Sequence, residues 1–590
     1  MKKTIISALL LLWVQLGYYG VSARVRRITL DIANAKTNPD CNQTITNMVI
    51  NGRFPAPPIR VTKNDYVDIT VRNNGNKPTS IHYHGIFQIG TTEADGFPNI
   101  TQRAIPPGGT YRQQFRVINQ AGTFFYHAHS GLQDEAIQGP FIIYDSDDAW
   151  PAEAFDNEIP THKIRDGPYE YDDERIVQLS EWWHQTETER VDYVLGDQFT
   201  GVIPADSYLI NGRTVYNPQN AFDRSKNCGG YSVIGVEPGK TYRLRVIGGV
   251  TFSALGLAFA KHTMTIIEVD GVLVKPYQVS YLEVASGQRF SVLLQANQDP
   301  SMDYYISTQP YWSQATTSNG RAILRYIAGD KELRICKSPL GLLNLDLLSK
   351  EKQKTLDPTL PTFPPARSQW FFRDLQPLIQ EHDFTKKPTR TILIEPVERL
   401  LPDNTTRWFI SGHAPPQWYP PLIEQFAAGI RSRFNDTVIA LNRLNRGDGY
   451  DPDMQGYPIK RNEVIDFVLQ DTALPNGICV GHPWHTHGHV HYAIAFGPGA
   501  YNPDTDEDLR NYATPIAKDI TFVYPVQPGA PADTPGGTPC GWTKIRLFAD
   551  NPGLWGLHCH ITSHMLQGMM TAMFEAPEDI PVLMRSSKRY

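Results

Sequence analysis

The sequence has little cysteine, little charge and, beyond its first two dozen residues, no apolar run long enough to span a bilayer. Six cysteines in 590 residues are too few to be the scaffold of a chain this long, so they staple a core that is adequate without them. Charged residues make up 20%, and the 61 acidic against 55 basic side chains include no basic block. Nucleic acid and anionic membranes therefore find no electrostatic footprint, and neither is expected as a partner. What is plentiful is Gly (45), Pro (46), Tyr (28) and Phe (25), a composition suited to short strands joined by turns rather than to long helices. The expectation is an all-β chain, with three or four domains at roughly 150 or more residues each.

Lys2 and Lys3 precede an apolar run that ends in the small residues Val21, Ser22 and Ala23, the form of a secretory signal peptide over residues 1–23. The run is short for an uncleaved anchor, so the mature protein is expected to be soluble, secreted and free of the membrane. N-glycosylation sequons at Asn42, Asn99, Asn404 and Asn435 fit that compartment.

Alternating or β-branched runs bounded by turn residues recur along the chain, among them IRVTKNDYVDITVRNN, KTYRLRVIGG, RTILIEPV and WTKIRLFADNPGLWGLHCH. Strands at this spacing argue for sandwiches or barrels. A phrase of turn, aromatic and strand appears three times, as IPPGGTYRQQFRV, VEPGKTYRLRVIG and PCGWTKIRLFADNPG, which predicts three duplicated domains. The segment 331–387 carries charges and prolines without β alternation and reads as a linker, with a short helix near Leu342–Lys352. The expected domains are 24–165, 166–330 and 388–590.

Histidine is where chemistry concentrates. Seventeen histidines scattered at random would give about half an H-x-H pair. The sequence has such pairs at His82/His84, His127/His129, His485/His487, His487/His489, His489/His491 and His558/His560. On a strand, residues i and i+2 share a face, so each pair offers two adjacent imidazoles. In WGLHCHIT, His558 and His560 face one side and Cys559 the other, so one strand separates two metal sites. A thiolate with two imidazoles and a weak axial thioether is the ligand set of a blue-copper electron-transfer site. His564 and Met569 follow Cys559 closely, and His482 in GHPWHTHGH can supply the second imidazole. The opposite face is an imidazole-rich site, for which copper is favoured by the neighbouring thiolate centre.

The segments HYHG, HAHS, HPWHTHGH and HCHITSHMLQGM resemble, in order, the four copper-binding signatures of the multicopper oxidases. The resemblance extends to NPDCNQTITNMVINGRFPAPPIRV, TTEADGFPNITQ and LSEWWHQT, covers most of the chain, and is strongest to ascorbate oxidases, with laccases and ferroxidases similar at the copper motifs. It implies three consecutive cupredoxin-like Greek-key domains and four copper ions, one type 1, one type 2 and two type 3. By motif, His482, Cys559 and His564 hold the type 1 copper with Met569 axial, and His82 and His485 hold the type 2 copper. His84, His127 and His560 hold one type 3 copper, and His129, His487 and His558 the other. Electrons from a small-molecule donor then pass through Cys559 into His558 or His560, and four of them reduce dioxygen to water. His489 and His491 fall outside this pattern and read as structural.

Two departures stand out. The family usually has an acid directly after H-C-H-I, where this chain has Thr562. A neutral hydroxyl is no proton donor of matched pKa, so the proton work falls to Asp95, which matches the family's other acid near the cluster, or turnover is slow. Arg103 stands where a cysteine commonly ties the first domain to the tail, so that disulfide is expected to be missing. Cys41 and Cys228 match the family's inter-domain bridge, Cys479 and Cys540 can form another, and Cys336 is left free. On the donor side, Trp182, Trp183 and Trp408 match aromatic positions of the ascorbate site, and Glu181 resembles the acid that ferroxidases use for iron. The resulting expectation is a secreted oxidase of ascorbate-like or phenolic donors. A ferroxidase and a copper-binding protein without oxidase activity are the alternatives.

Overall fold

The computed structural model describes residues 23–151, 163–220, 229–312, 315, 318–327, 354–367, 371–428, 448–525 and 535–580. The expected signal peptide, the helix near Leu342–Lys352, Cys228, Cys336 and the sequon at Asn435 lie outside these residues.

Among the described residues strands far outnumber helices, and the strands build the same unit three times. In the first, Val25–Thr37 runs parallel to Tyr66–Asn73, which pairs antiparallel with Thr110–Arg116. In the second, Asp173–Trp182 lies parallel to Thr241–Gly249, which pairs antiparallel with Arg289–Gln295. In the third, Arg390–Ile394 lies parallel to Val464–Thr472, which pairs antiparallel with Pro539–Phe548. Each of these sheets has a companion sheet, and in the first unit Val67, Ile69 and Phe115 of one share a core with Tyr83, Phe124 and Phe141 of the other. This is the sandwich that the strand spacing predicted.

The repeated phrase was a looser guide than the repeat itself. IPPGGTYRQQFRV and PCGWTKIRLF end on equivalent strands of the first and third units, but VEPGKTYRLRV lands on Thr241–Gly249, the counterpart of Tyr66–Asn73. A turn followed by an alternating strand fits any β-hairpin, so the phrase recognised a strand type rather than a position.

Strand burial tracks position in the sheets. Val25–Thr37 exposes Val25, Arg27 and Thr29 in its first half and Asn34 and Lys36 in its second, so the wet face changes sides across the buried or half-buried stretch from Leu30 to Ala33. Gly122–Ala128, His482–Thr486 and Gly553–Cys559 are buried throughout. Ile81–His84 holds both His82 and His84, while the other three strands hold His127, His485 and His558 and end just before His129, His487 and His560; all four come from the first and third units.

Candidate metal centres

Gly553–Cys559 is a central strand, flanked by His482–Thr486 on one side and Met570–Glu575 on the other. Its register sets His485 opposite His558 and Trp484 opposite Cys559. The two faces diverge as the alternation requires. On one, Cys559 Sγ lies 3.7 Å from His482 Nδ1 and 4.0 Å from His564 Nδ1, and the two imidazole nitrogens are 3.3 Å apart. On the other, His558 Nε2 is 3.0 Å from His487 Nε2, and His560 Nε2 is 3.1 Å from His84 Nδ1. In the first unit His82 stands directly across the ladder from His127.

Five groups of described side chains bring their donor atoms within 4.8 Å of one another: His482, Cys559 and His564; His84, His127 and His560; His129, His487 and His558; His82, His84 and His485; and His82, Asp95 and His487. All are buried. Met569 is fully buried in the same core as Cys559, and its carbonyl accepts the Cys559 N–H at 3.1 Å.

The hydrogen bonds fix which nitrogen each ring leaves free. The Nδ1 atoms of His82, His127, His485 and His558 lie 2.7–2.9 Å from the carbonyl oxygens of Asp95, Ala128, Asp519 and Cys559. A carbonyl can only accept, so each Nδ1 carries the proton and each Nε2 presents a lone pair. His487 Nδ1 donates to Asp95 Oδ2 at 2.9 Å, and His560 Nδ1 lies 2.9 Å from Ser286 Oγ. His84 is turned the other way, with Nε2 at 3.2 Å from Asp519 Oδ1 and Nδ1 toward His560.

The Nε2 atoms of His82, His127, His129 and His485 are buried without a hydrogen-bond partner. A buried polar atom left unpaired is costly, and several aimed into one chamber suit cations bound there. Copper fits this donor set: neutral imidazoles for the chamber, and a thiol with two imidazoles for the other face.

Electrostatics agree. Burial pushes His84, His127, His129, His482, His485, His558 and His560 well below their ordinary pKa, and His564 down to about 3. These rings are neutral and free to ligate at any ordinary pH. Burial also pushes the Cys559 thiol up, so without a cation it stays protonated. For Asp95, burial alone would raise the pKa, but His487 and His82 hold it well below the usual carboxylate range. It is an ionised hydrogen-bond anchor.

His489 and His491 are structural. His489 Nε2 bonds Glu575 at 2.7 Å, and His491 lies between Thr486 and Thr521 at 2.8 and 2.7 Å.

The donor side departs from the sequence expectation. Glu181 is buried, and its carboxylate accepts the backbone N–H groups of Thr251, Phe252 and Ser253 at 2.8–3.1 Å. It is consumed in holding that turn and offers iron no free oxygen. Trp182 packs on Phe54, and Trp183 under the Arg190 guanidinium, both in recesses other than the one at His564. Trp408 is wholly buried, with its ring 5.4 Å from that of His482 and 5.1 Å from that of His564, so it backs the ligands without facing solvent.

The opening at His564 is a cavity of about 650 Å³ lined by Phe252, Trp312, Glu398, Ile561 and the Leu474–Gly481 segment. Burial pushes Glu398 up to about 7. Sequence reasoning missed Phe252, Trp312 and Glu398 because they sit in no ligand motif and meet only in the folded chain. Cys479 also borders this cavity and is joined to Cys540. At Arg103, where the tail disulfide is missing, a two-pronged ion pair to Glu424 at 2.6–2.7 Å connects the first unit to the third.

Multicopper oxidase family models match residues 31–148, 173–329 and 415–579. The chain is 30% identical to an L-ascorbate oxidase of Nicotiana tabacum, over 93% of this chain and 90% of that one. It is also 30% identical to Laccase-2 of Thanatephorus cucumeris, over 95% and 92%. Among solved structures it is similar to a laccase from Botrytis aclada, with a TM-score of 0.72, 24% identity and 96% and 90% of the two chains covered. It is likewise similar to Fet3p, described as a multicopper oxidase that functions in iron import, with a TM-score of 0.71, 22% identity and coverage of 96% and 95%.

Proposed function

Because the chain belongs to the multicopper oxidases, copper oxidoreductases that use dioxygen, we propose that it oxidises small phenolic or ascorbate-like donors in the cavity at His564 and reduces dioxygen to water in the histidine chamber. The observation that carries this reading is the position of Cys559, whose thiol meets His482 and His564 while its chain neighbours His558 and His560 enter the chamber. When bound, copper supplies one-electron redox chemistry on the first face and the four-electron reduction of dioxygen on the second.

The residues have distinct tasks. His482, Cys559 and His564, with Met569 beside them, hold the type 1 ion. His82 and His485 hold the type 2 ion. His84, His127 and His560, and His129, His487 and His558, hold the type 3 pair. Asp471 Oδ1 lies 3.4 Å from His482 Nε2, on the side of the ring away from the thiol. Trp408 and the surrounding core keep water from the thiolate. Phe252 and Trp312 give a flat ring apolar walls, and Glu398 accepts the hydroxyl proton that a phenol or enediol sheds as it is oxidised. The N-terminal pattern of residues 1–23 supports secretion, and no helix among the described residues is long and apolar enough to cross a membrane.

The test is dioxygen uptake by copper-loaded protein offered ascorbate, a simple phenol and Fe(II) in parallel. Uptake with phenol or ascorbate ahead of Fe(II) is expected, because Glu181 is unavailable to iron. Glu398→Gln should lower kcat/KM for phenol by about 10- to 100-fold, more than for a donor with no proton to give. Preference for Fe(II), or an equal loss for both donor types, would refute the assignment.

A further inference from the structure

At Thr562, where the family usually has an acid, the first unit brings a buried carboxyl into contact. Thr562 Oγ1 donates a 2.7 Å hydrogen bond to Asp134 Oδ2. Both residues are buried, and Asp134 Oδ1 has no hydrogen-bond partner. Asp134 lies in the turn Gln133–Glu135 just after the His127 and His129 strand, and Thr562 opens the helix Thr562–Leu566 just after His560. The pair thus joins two of the four chain segments that carry the chamber's ligands.

We propose that Asp134, working with the Thr562 hydroxyl, is the proton reservoir for dioxygen reduction in the histidine chamber. The proposal rests on the oxidase reading above. Reducing one dioxygen to two waters takes four electrons, which the donor supplies, and four protons, which come from solvent. The Asp134 carboxyl releases the proton held on Oδ1 and is reloaded from water through Thr562, whose hydroxyl gives its proton to Oδ2 and takes another. Thr562 borders a crevice of about 30 Å³ lined also by Glu135, Trp183, Arg190 and Ser563, room for about two waters.

Other acids near the chamber are committed elsewhere. Asp95 is held ionised by His487 and His82. Asp519 is clamped by both arms of Arg289 at 2.5 Å and touches His84. Burial raises Asp519 and its neighbour Asp270 as well, but both face Arg289. Asp134 differs in keeping Oδ1 without a partner, and burial pushes it up to about 7 in spite of the Thr562 hydrogen bond and the nearby Arg190, with Glu181 adding to the rise. Arg190 is itself paired to Glu135. A carboxyl protonated below about pH 7 and ionised above it has the poise a proton donor needs.

The test compares Asp134→Asn, Thr562→Val and Thr562→Ser. In copper-free protein, the infrared difference between the parent and Asp134→Asn should contain a carboxylic acid band that disappears near pH 7, the bands of Asp270, Glu283 and Glu398 being common to both and cancelling. In copper-loaded protein, anaerobic bleaching of the blue band by donor should proceed at the parental rate in every variant, because electron entry uses the other face. Dioxygen uptake should fall about 100-fold in Asp134→Asn and in Thr562→Val, with loss of the limb that declines above pH 7, and Thr562→Ser should keep the parental profile. A parental pH profile in Asp134→Asn, or a parent-minus-variant difference with no band titrating near pH 7, overturns the proposal and leaves the oxidase reading intact. Bleaching without dioxygen uptake in the parent overturns both.

Discussion

An imidazole buried without a proton is a liability in acid. The chamber and thiol-site histidines are held neutral by burial, with pKa values pushed well below the ordinary 6.5. Unfolding returns them to water, where they bind protons below about pH 6.5. The unfolded state therefore gains protons first, and stability is present above pH 6.5 and drains away as pH falls below it. Asp134, Asp270, Glu283 and Glu398, raised to about 7, and Glu181, Glu395, Asp471 and Asp519, also raised by burial, act in the opposite sense, stabilising most at low pH and losing that contribution as pH rises. The histidines lowered by burial, His262, His487, His491 and His564 among them, outnumber these acids. Copper-free protein should thus melt at a lower temperature at pH 5 than at pH 7, and calorimetry showing the reverse would mean that the rings are not held neutral. At this scale the ligands were legible, because H-x-H recurs far too often for chance and each pair must share a strand face. Glu181 was not, since no motif reveals that three amides at Thr251, Phe252 and Ser253 will claim its carboxylate.

At the scale of the element, strand alternation did most of the work. Reading Cys559 onto the face opposite His558 and His560 required only that WGLHCH be extended, and the register with Trp484 and His485 agrees. What alternation cannot disclose is which turn closes over a site. Gly287 lies in the turn between Leu282–Val284 and Arg289–Gln295, at φ +78°. A Cβ there would come within 2.9 Å of His560 Cδ2, His84 Cε1 and Ile520 Cδ1. The middle unit thus presses bare backbone against two imidazoles that belong to the other units. Gly287→Ala forces those rings to shift and adds backbone strain. Metal analysis should show copper lost from the chamber while the blue band survives. Full copper content in that variant would show that the turn leaves the rings room.

For the whole molecule, the threefold recurrence was readable in the sequence as a count, although one of the three phrases fell on a different strand. The donor cavity was not readable, because Phe252, Glu398, the 474–481 segment and His564 come from separated stretches of chain. The chamber draws His82, His84, His127 and His129 from the first unit and His485, His487, His558 and His560 from the third. Copper bound there favours the folded state by mass action and couples the two units. Calorimetry should find a single higher-melting transition with copper and a lower, broader or split one after chelation. A copper-independent melting curve would contradict a chamber shared in this way.

The same division of ligands has a consequence for biosynthesis. A nascent chain displays His82 and His129 long before His485 or His558 has been made, so no product that stops short of them owns a complete chamber. The chamber can be completed only after His560 has been made, so an occupied chamber certifies that synthesis passed that residue and that the first and third units found each other.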